Sequence, residues 1–211
     1  MSGILKDRNK AFLSAVLAAH ALAFWVIFAG ANMRNFSTVE GLVSRFAASA
    51  PLAIFPALIS FLVQGIVTSD VKARIVYWRV RGDPYPGSEA FSRWLRKDGR
   101  INAGVIEARY SPLPTSPADQ NALWYRIYRT HRDDPNIEDA HRRYLLARDL
   151  AINALLFGAV TCLLIGWGSS STPWKLMYIL GSGGLYVFSC IAAQNHGRRF
   201  VTSVLANESA K

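Results

Sequence analysis

Between residues 70 and 149 the chain interleaves arginines with aromatic side chains. Arg79, Arg81, Arg93, Arg96, Lys97, Arg100, Arg126 and Arg129 lie among Tyr77, Trp78, Tyr85, Trp94, Trp124, Tyr125 and Tyr128. A guanidinium offers phosphate oxygens two parallel donors, and an aromatic face stacks a base. The combination suits a nucleotide or a short oligonucleotide. The candidate ligand-binding residues are Arg79, Arg81, Arg93, Arg96, Lys97, Arg100, Trp124, Tyr125, Arg126 and Arg129. Beside a bilayer, the same residue types form interfacial belts and hold anionic headgroups. Composition leaves both readings open.

Catalytic signatures are sparse. His131-Arg132-Asp133 matches the opening of a kinase catalytic loop, but Glu138 stands where the following Asn belongs, and no Gly-rich loop or strand lysine accompanies it. GxSxG, HExxH and P-loop patterns are absent. His131 and His141 flank a turn with Asp133 and Asp134, for which a solvated charge cluster is the simpler account than a lipid-modifying centre. Cys162 and Cys190 have no His or Cys at metal-ligand spacing and read as small packing residues. Neither an enzyme nor a cofactor is expected. A membrane-bound lipid-modifying enzyme and a scaffold that recruits a cytoplasmic partner are the alternatives.

The elements that position the basic stretch are apolar. Hydrophobic residues make up 51% of the chain, and they concentrate in four windows, Ala11–Gly30, Phe46–Thr68, Leu150–Trp167 and Leu176–Ala193. Each approaches the roughly 20 residues needed to span a hydrocarbon layer of about 30 Å. They are apolar all round rather than striped, unlike surface helices of a soluble domain. The predicted fold is an all-α integral membrane protein, with four transmembrane helices in a 2+2 arrangement around a mainly helical cytoplasmic segment. The divisions are 1–69 (tail and first pair), 70–149 (basic sensing segment), 150–194 (second pair) and 195–211 (tail). The first window follows Lys6, Arg8 and Lys10 and is longer than a signal-peptide core of roughly 7–15 residues, so it reads as a retained anchor.

Net charge is +10, and most Lys and Arg fall in the middle stretch and near the two termini. The connections expected on the other side carry few. By the positive-inside rule both termini and the middle stretch face the cytoplasm. Three polar residues fall within or at the edge of spans, His20, Gln64 and Asn153, and ionisable or polar groups at that depth are candidates for pore or gate. Gly181-Ser182-Gly183-Gly184 has no preceding strand, and close helix packing explains it better than a nucleotide loop.

Local signals set finer expectations. Val71–Trp78 is expected to continue the second span into the cytoplasm. Pro84, Pro86 and their neighbouring glycines stop it, and Ser88 would cap a short helix, Glu89–Lys97. Residues 98–116 read as loop, with a short strand at Gly104–Ala108. Ser116-Pro117 starts a helix through Arg129, and Asp134-Pro135 starts one long helix running to Trp167. An amphipathic surface helix around Phe36–Phe46 and a kink at Pro56 complete the reading.

Three runs carry a resemblance, YWRVRGDPYPGSEAFS (Tyr77–Ser92), LPTSPADQNALWY (Leu113–Tyr125) and NHGRRFVTSVLA (Asn195–Ala206). With the two-span, basic segment, two-span layout, the chain resembles the four-helix membrane effectors of bacterial antiphage defence, as in CBASS and Hailong systems. The likeness covers most of the chain in layout but only these runs in residues. It implies a homo-oligomeric channel, a tetramer, controlled by a nucleotide signal from a nucleotidyltransferase encoded nearby. Opening would collapse ion gradients in the infected cell. Individual ligand contacts do not follow from it.

Overall fold

The structure, a computed structural model, describes residues 2–28, 58, 62, 65–167 and 172–211. The surface helix around Phe36–Phe46, most of the second span with Pro51, Pro56 and Gln64, and the turn at 168–171 lie outside the described residues. Every described element is helical: α1 (Ser2–Phe28), α2 (Ser69–Tyr77), a 3₁₀ turn (Pro86–Glu89) leading into a π turn (Ala90–Trp94), α3 (Ala103–Tyr110), α4 (Pro117–His131), α5 (Pro135–Trp167) and α6 (Thr172–Ser209). Two compact units result. One comprises Met1–Thr68 with Asp149–Phe188, the other Ser69–Arg148 with Ser189–Lys211.

In the first unit, Leu13 and Leu17 of α1 and Ala151 and Ile152 of α5 are buried. Two helices are long and apolar enough to cross a membrane, over Pro135–Leu163 and Lys175–Ser209, while the apolar part of α1, Asn9–Phe24, is shorter. Val160, Leu163, Met177, Leu180 and Phe188 are each more than half exposed. Only 28% of the apolar window in α6 is buried.

The second unit forms around local signals. Ser116 Oγ accepts the Asp119 amide at 3.2 Å, and Pro117 at the first helical position has no N–H to waste. Asp134 Oδ1 accepts the amides of Asn136 and Ile137, and α5 then runs unbroken for 33 residues, as Asp134-Pro135 foretold. Replacing Ser116 by Ala is expected to cost about 1 kcal/mol, readable as a small fall in melting temperature with the fold retained.

Three local expectations need correction. α2 does not continue an upstream helix, because Val67 and Thr68 are non-helical and α2 starts afresh at Ser69. The helix expected over Glu89–Lys97 is instead the 3₁₀ and π pair. Gly87 lies so close to α4 that a Cβ there would come within 2.5 Å of the Trp124 ring, which draws the turn tight onto that helix. Its early amides, Phe91 and Ser92, are satisfied by Gln120 Oε1 at 3.1 and 3.0 Å. Ser88 is no cap, since its hydroxyl accepts from Arg79 Nη1 at 3.0 Å. The strand at Gly104–Ala108 is helix α3, capped by Asn102 Oδ1 and anchored by the fully buried Ile106.

The C-terminal half of α6 is core rather than a mere basic tail. Phe200, Val201, Val204 and Leu205 are buried at i, i+1, i+4 and i+5, one face of a helix. The Phe200 ring stacks on His141 at 4.6 Å and meets Trp124 and Tyr128 edge-on, both at 5.1 Å.

A candidate anion-binding site

The site lies wholly in the second unit. α2 ends at Tyr77, and Trp78 turns the chain with a positive φ of 53°. Arg74 Nη1 donates to the Val80 carbonyl at 3.0 Å, and Gln194 Nε2 of α6 donates to the Val76 carbonyl at 2.7 Å. The second bond occupies a carbonyl that the end of α2 leaves open, and together the two fix where Arg79 emerges. Arg79 then donates to Ser88 Oγ and pairs with Glu89. Glu89 also receives Arg93 at 2.9 Å, so one carboxylate aligns two guanidiniums.

A cavity of about 320 Å³ opens beside them, lined by Arg79, Arg93, Arg198, Trp94, Tyr77 and Tyr85, with Glu89, Gln194 and Asn195. Three cations face one carboxylate there. The Trp94 ring carries Arg93 at 4.5 Å, Lys97 at 5.6 Å and Arg198 at 5.8 Å from its centroid. Burial pushes the Tyr77 hydroxyl well above the ordinary tyrosine range, with Tyr144 adding to the shift. Burial also raises Tyr85, helped by the charges of Asp70 and Asp83.

A second cavity, about 410 Å³, shares Trp94 and Arg198 with the first and adds Lys97, Asp98, Arg100, Arg199 and Thr202. Arg100 grips Asp98 through two bonds, Nε at 3.0 Å and Nη2 at 2.7 Å. Those bonds hold the Asp98 carboxyl far below the usual carboxylate range, against the opposing effect of burial.

The ten candidate residues divide. Arg79 and Arg93 line the first cavity, and Lys97 and Arg100 the second. Arg81 and Arg96 are exposed and line neither, Arg96 pairing with Glu107 at 2.6 Å. Tyr125, Arg126 and Arg129 sit on the exposed side of α4, likewise away from both cavities. Trp124 needs correction as a stacking platform. It is 4% exposed, packed under Gly87 and against Phe200.

Trp94, Gln194, Arg198 and Arg199 were not among the candidates. The signal for the last three was available in the 3.6-residue period of Phe200, Val201, Val204 and Leu205, which makes the tail a packed helix rather than a free basic segment.

Among the polar residues expected at membrane depth, His20 Nε2 lies 2.9 Å from Ser182 Oγ in the first unit, with Phe157 and Tyr178 rings at 5.0 and 5.4 Å. Tyr178 donates to Thr161 Oγ1 at 2.7 Å. Asn153 is buried, and Gln64 lies outside the described residues. Ser182 is buried, and a Cβ at Gly158 of α5 would lie 3.4 Å from its Cβ, whereas Gly181 and Gly183 meet no neighbour among the described residues. His131 and His141 are not brought together with Asp133 and Asp134. His131 faces Glu208, His141 Nδ1 lies 3.0 Å from Tyr128 Oη, and Asp134 caps α5. No protein-family model, curated protein or solved structure matches the chain.

Proposed function

We propose that the chain is a membrane effector of bacterial antiphage defence, an oligomeric ion channel of the inner membrane gated by a nucleotide or short oligonucleotide. The observation that carries this reading is the first cavity, where Arg79, Arg93 and Arg198 surround Trp94 with a single carboxylate among them. Guanidiniums suit phosphates and the tryptophan suits a base. The exposed apolar residues of α5 and α6 support a membrane location. Four helices are too few to enclose a water-filled path, so the pore would form between copies, four in the version proposed, with both termini cytoplasmic. The signal would come from a nucleotidyltransferase encoded nearby.

α6 offers the route for coupling. It bears Gln194 and Arg198 in the cavity lining and continues, as one helix, from the apolar stretch at Leu176–Ala193. A ligand that prefers one position of Arg198 biases the helix that carries it. Flux through liposomes containing the purified chain, tested against mono-, cyclic and short oligonucleotides, is expected to depend on one of them. Protein that never conducts, with any nucleotide or without, overturns the proposal. Exchanging Arg93 for Gln removes one charge-assisted contact and is expected to weaken nucleotide binding about tenfold, measured by calorimetry.

A further inference from the structure

The second cavity has a different charge balance from the first. Lys97, Arg100, Arg198 and Arg199 meet one carboxylate, Asp98, which Arg100 already holds. Arg100 is further tethered to α6 through Thr202 Oγ1 at 3.3 Å. Lys97, Arg198 and Arg199 form no ion pair among the described residues. Three cations thus converge on one opening without a protein counter-ion.

Their position along α6 narrows the ligand. Arg198 follows the end of the apolar window at Ala193 by five residues, about 7.5 Å of helix rise. The polar layer on each side of a bilayer is about 5–7 Å deep, so the guanidinium stands at its edge and can reach back into it. On the same helix, Ile191, Asn195, Arg198 and Thr202 recur at the spacing of one face. Ile191, the first of these and within the second unit, is 42% exposed. An exposed apolar side chain followed by guanidiniums without a protein counter-ion suits the top of an acyl chain and its anionic headgroup. Trp94, at the rim, adds the amphipathic ring typical of that depth.

We infer that the second cavity is a headgroup site for an anionic phospholipid, with Lys97, Arg198 and Arg199 taking the phosphodiester oxygens and Trp94 lying at the interface. The inference rests on the reading of α6 as membrane-spanning, but not on nucleotide gating. A lipid held there shares Arg198 with the first cavity, so lipid composition would set how freely that arginine serves the other ligand.

The test uses the full chain in phosphatidylcholine nanodiscs doped with diphosphatidylglycerol or phosphatidylglycerol, with bound lipid counted by native mass spectrometry. Diphosphatidylglycerol is expected to be retained most and phosphatidylcholine least. The Lys97→Gln/Arg199→Gln double variant, which leaves the first cavity's lining intact, is expected to bind the anionic lipid about 10- to 30-fold more weakly. The Arg79→Gln/Arg93→Gln variant is expected to bind it as the unaltered protein does. Equal retention of zwitterionic and anionic lipid, equal loss in both variants, or displacement by inorganic phosphate or nucleotide without lipid dependence would each overturn the site. Protein that is released from membranes by alkaline wash would instead overturn the membrane-spanning reading itself.

Discussion

Replacing Glu208 by Ala is expected to lower the stability of the second unit by about 3 kcal/mol or more, seen as a fall of about 12–24 °C in its melting temperature. Glu208 sits one position before the end of α6, yet it is 5% exposed. It pairs with Arg109 of α3, accepts the Tyr110 hydroxyl at 2.8 Å, and faces His131 Nε2 of α4 at 2.6 Å. An ionised carboxylate can only accept, so Nε2 carries the hydrogen in that contact. Removing it strands three donors at once, and the His131 partner is as buried as the carboxylate. Arg109, more than a third exposed, regains water and contributes least. Glu208→Gln keeps an acceptor and should lose less. Tryptophan fluorescence follows the transition, since Trp94 and Trp124 both belong to this unit. A loss below about 1 kcal/mol would show that the cluster is not a stabilising one.

The same carboxylate predicts a pH dependence. Burial alone would raise the pKa of Glu208, but the bonds from His131, Tyr110 and Arg109 outweigh it and leave the group below the ordinary glutamate value. A depressed carboxylate pKa adds stability above the unfolded-state value, about 4.3, and that stability is lost as pH falls through the folded-state value. Asp98, held still lower by Arg100, acts in the same direction. The melting temperature contributed by these two groups should therefore be flat near neutrality and fall only below about pH 4, and Glu208→Gln should flatten part of that acid limb.

What the sequence made legible were the features with short-range causes. Ser116-Pro117 and Asp134-Pro135 each place an acceptor and a proline where a helix must begin, and both helices start there. Length and unbroken apolarity likewise marked the stretches of α5 and α6 that could cross a membrane. Features set by distant partners were not legible. Gly87 looked like part of a stop signal, but its role is to let a turn approach Trp124, 37 positions later. Nothing local marks Gln120, yet its side chain satisfies the first amides of the π turn, 29 and 28 positions earlier. The site suffered the same way. Counting arginines and aromatics found Arg79, Arg93, Lys97 and Arg100, but charge alone could not distinguish a lining guanidinium from Arg96, tied to Glu107, or a stacking indole from the buried Trp124. Arg198 and Arg199 come from a part of the chain about 100 residues away from their cavity partners, and only packing of the Phe200 face brings them there.

Gly197 is where that packing is tightest, and replacing it by Ala is expected to cost about 2–3 kcal/mol. A Cβ at this position would collide with the Tyr77 hydroxyl and lie 3.3 Å from two ring carbons of Tyr144. Tyr144 is 5% exposed and Gly197 is itself buried, so the Tyr144 ring has no route into solvent, and Tyr77 lies at the end of α2 that Gln194 holds. Relief comes from Tyr77 turning or from α6 moving away from α2, and either would strain the Gln194 bond to the Val76 carbonyl or shift Arg198, one residue further on. Stability and nucleotide binding should thus fall together in Gly197→Ala, whereas Arg93→Gln should weaken binding alone. Tyr77→Phe removes the colliding oxygen, so the double variant is expected to recover at least half of the lost stability, a coupling that two unrelated substitutions would not show. Additive losses in that double-mutant cycle would mean that α6 does not owe its position to the contact between Gly197 and Tyr77.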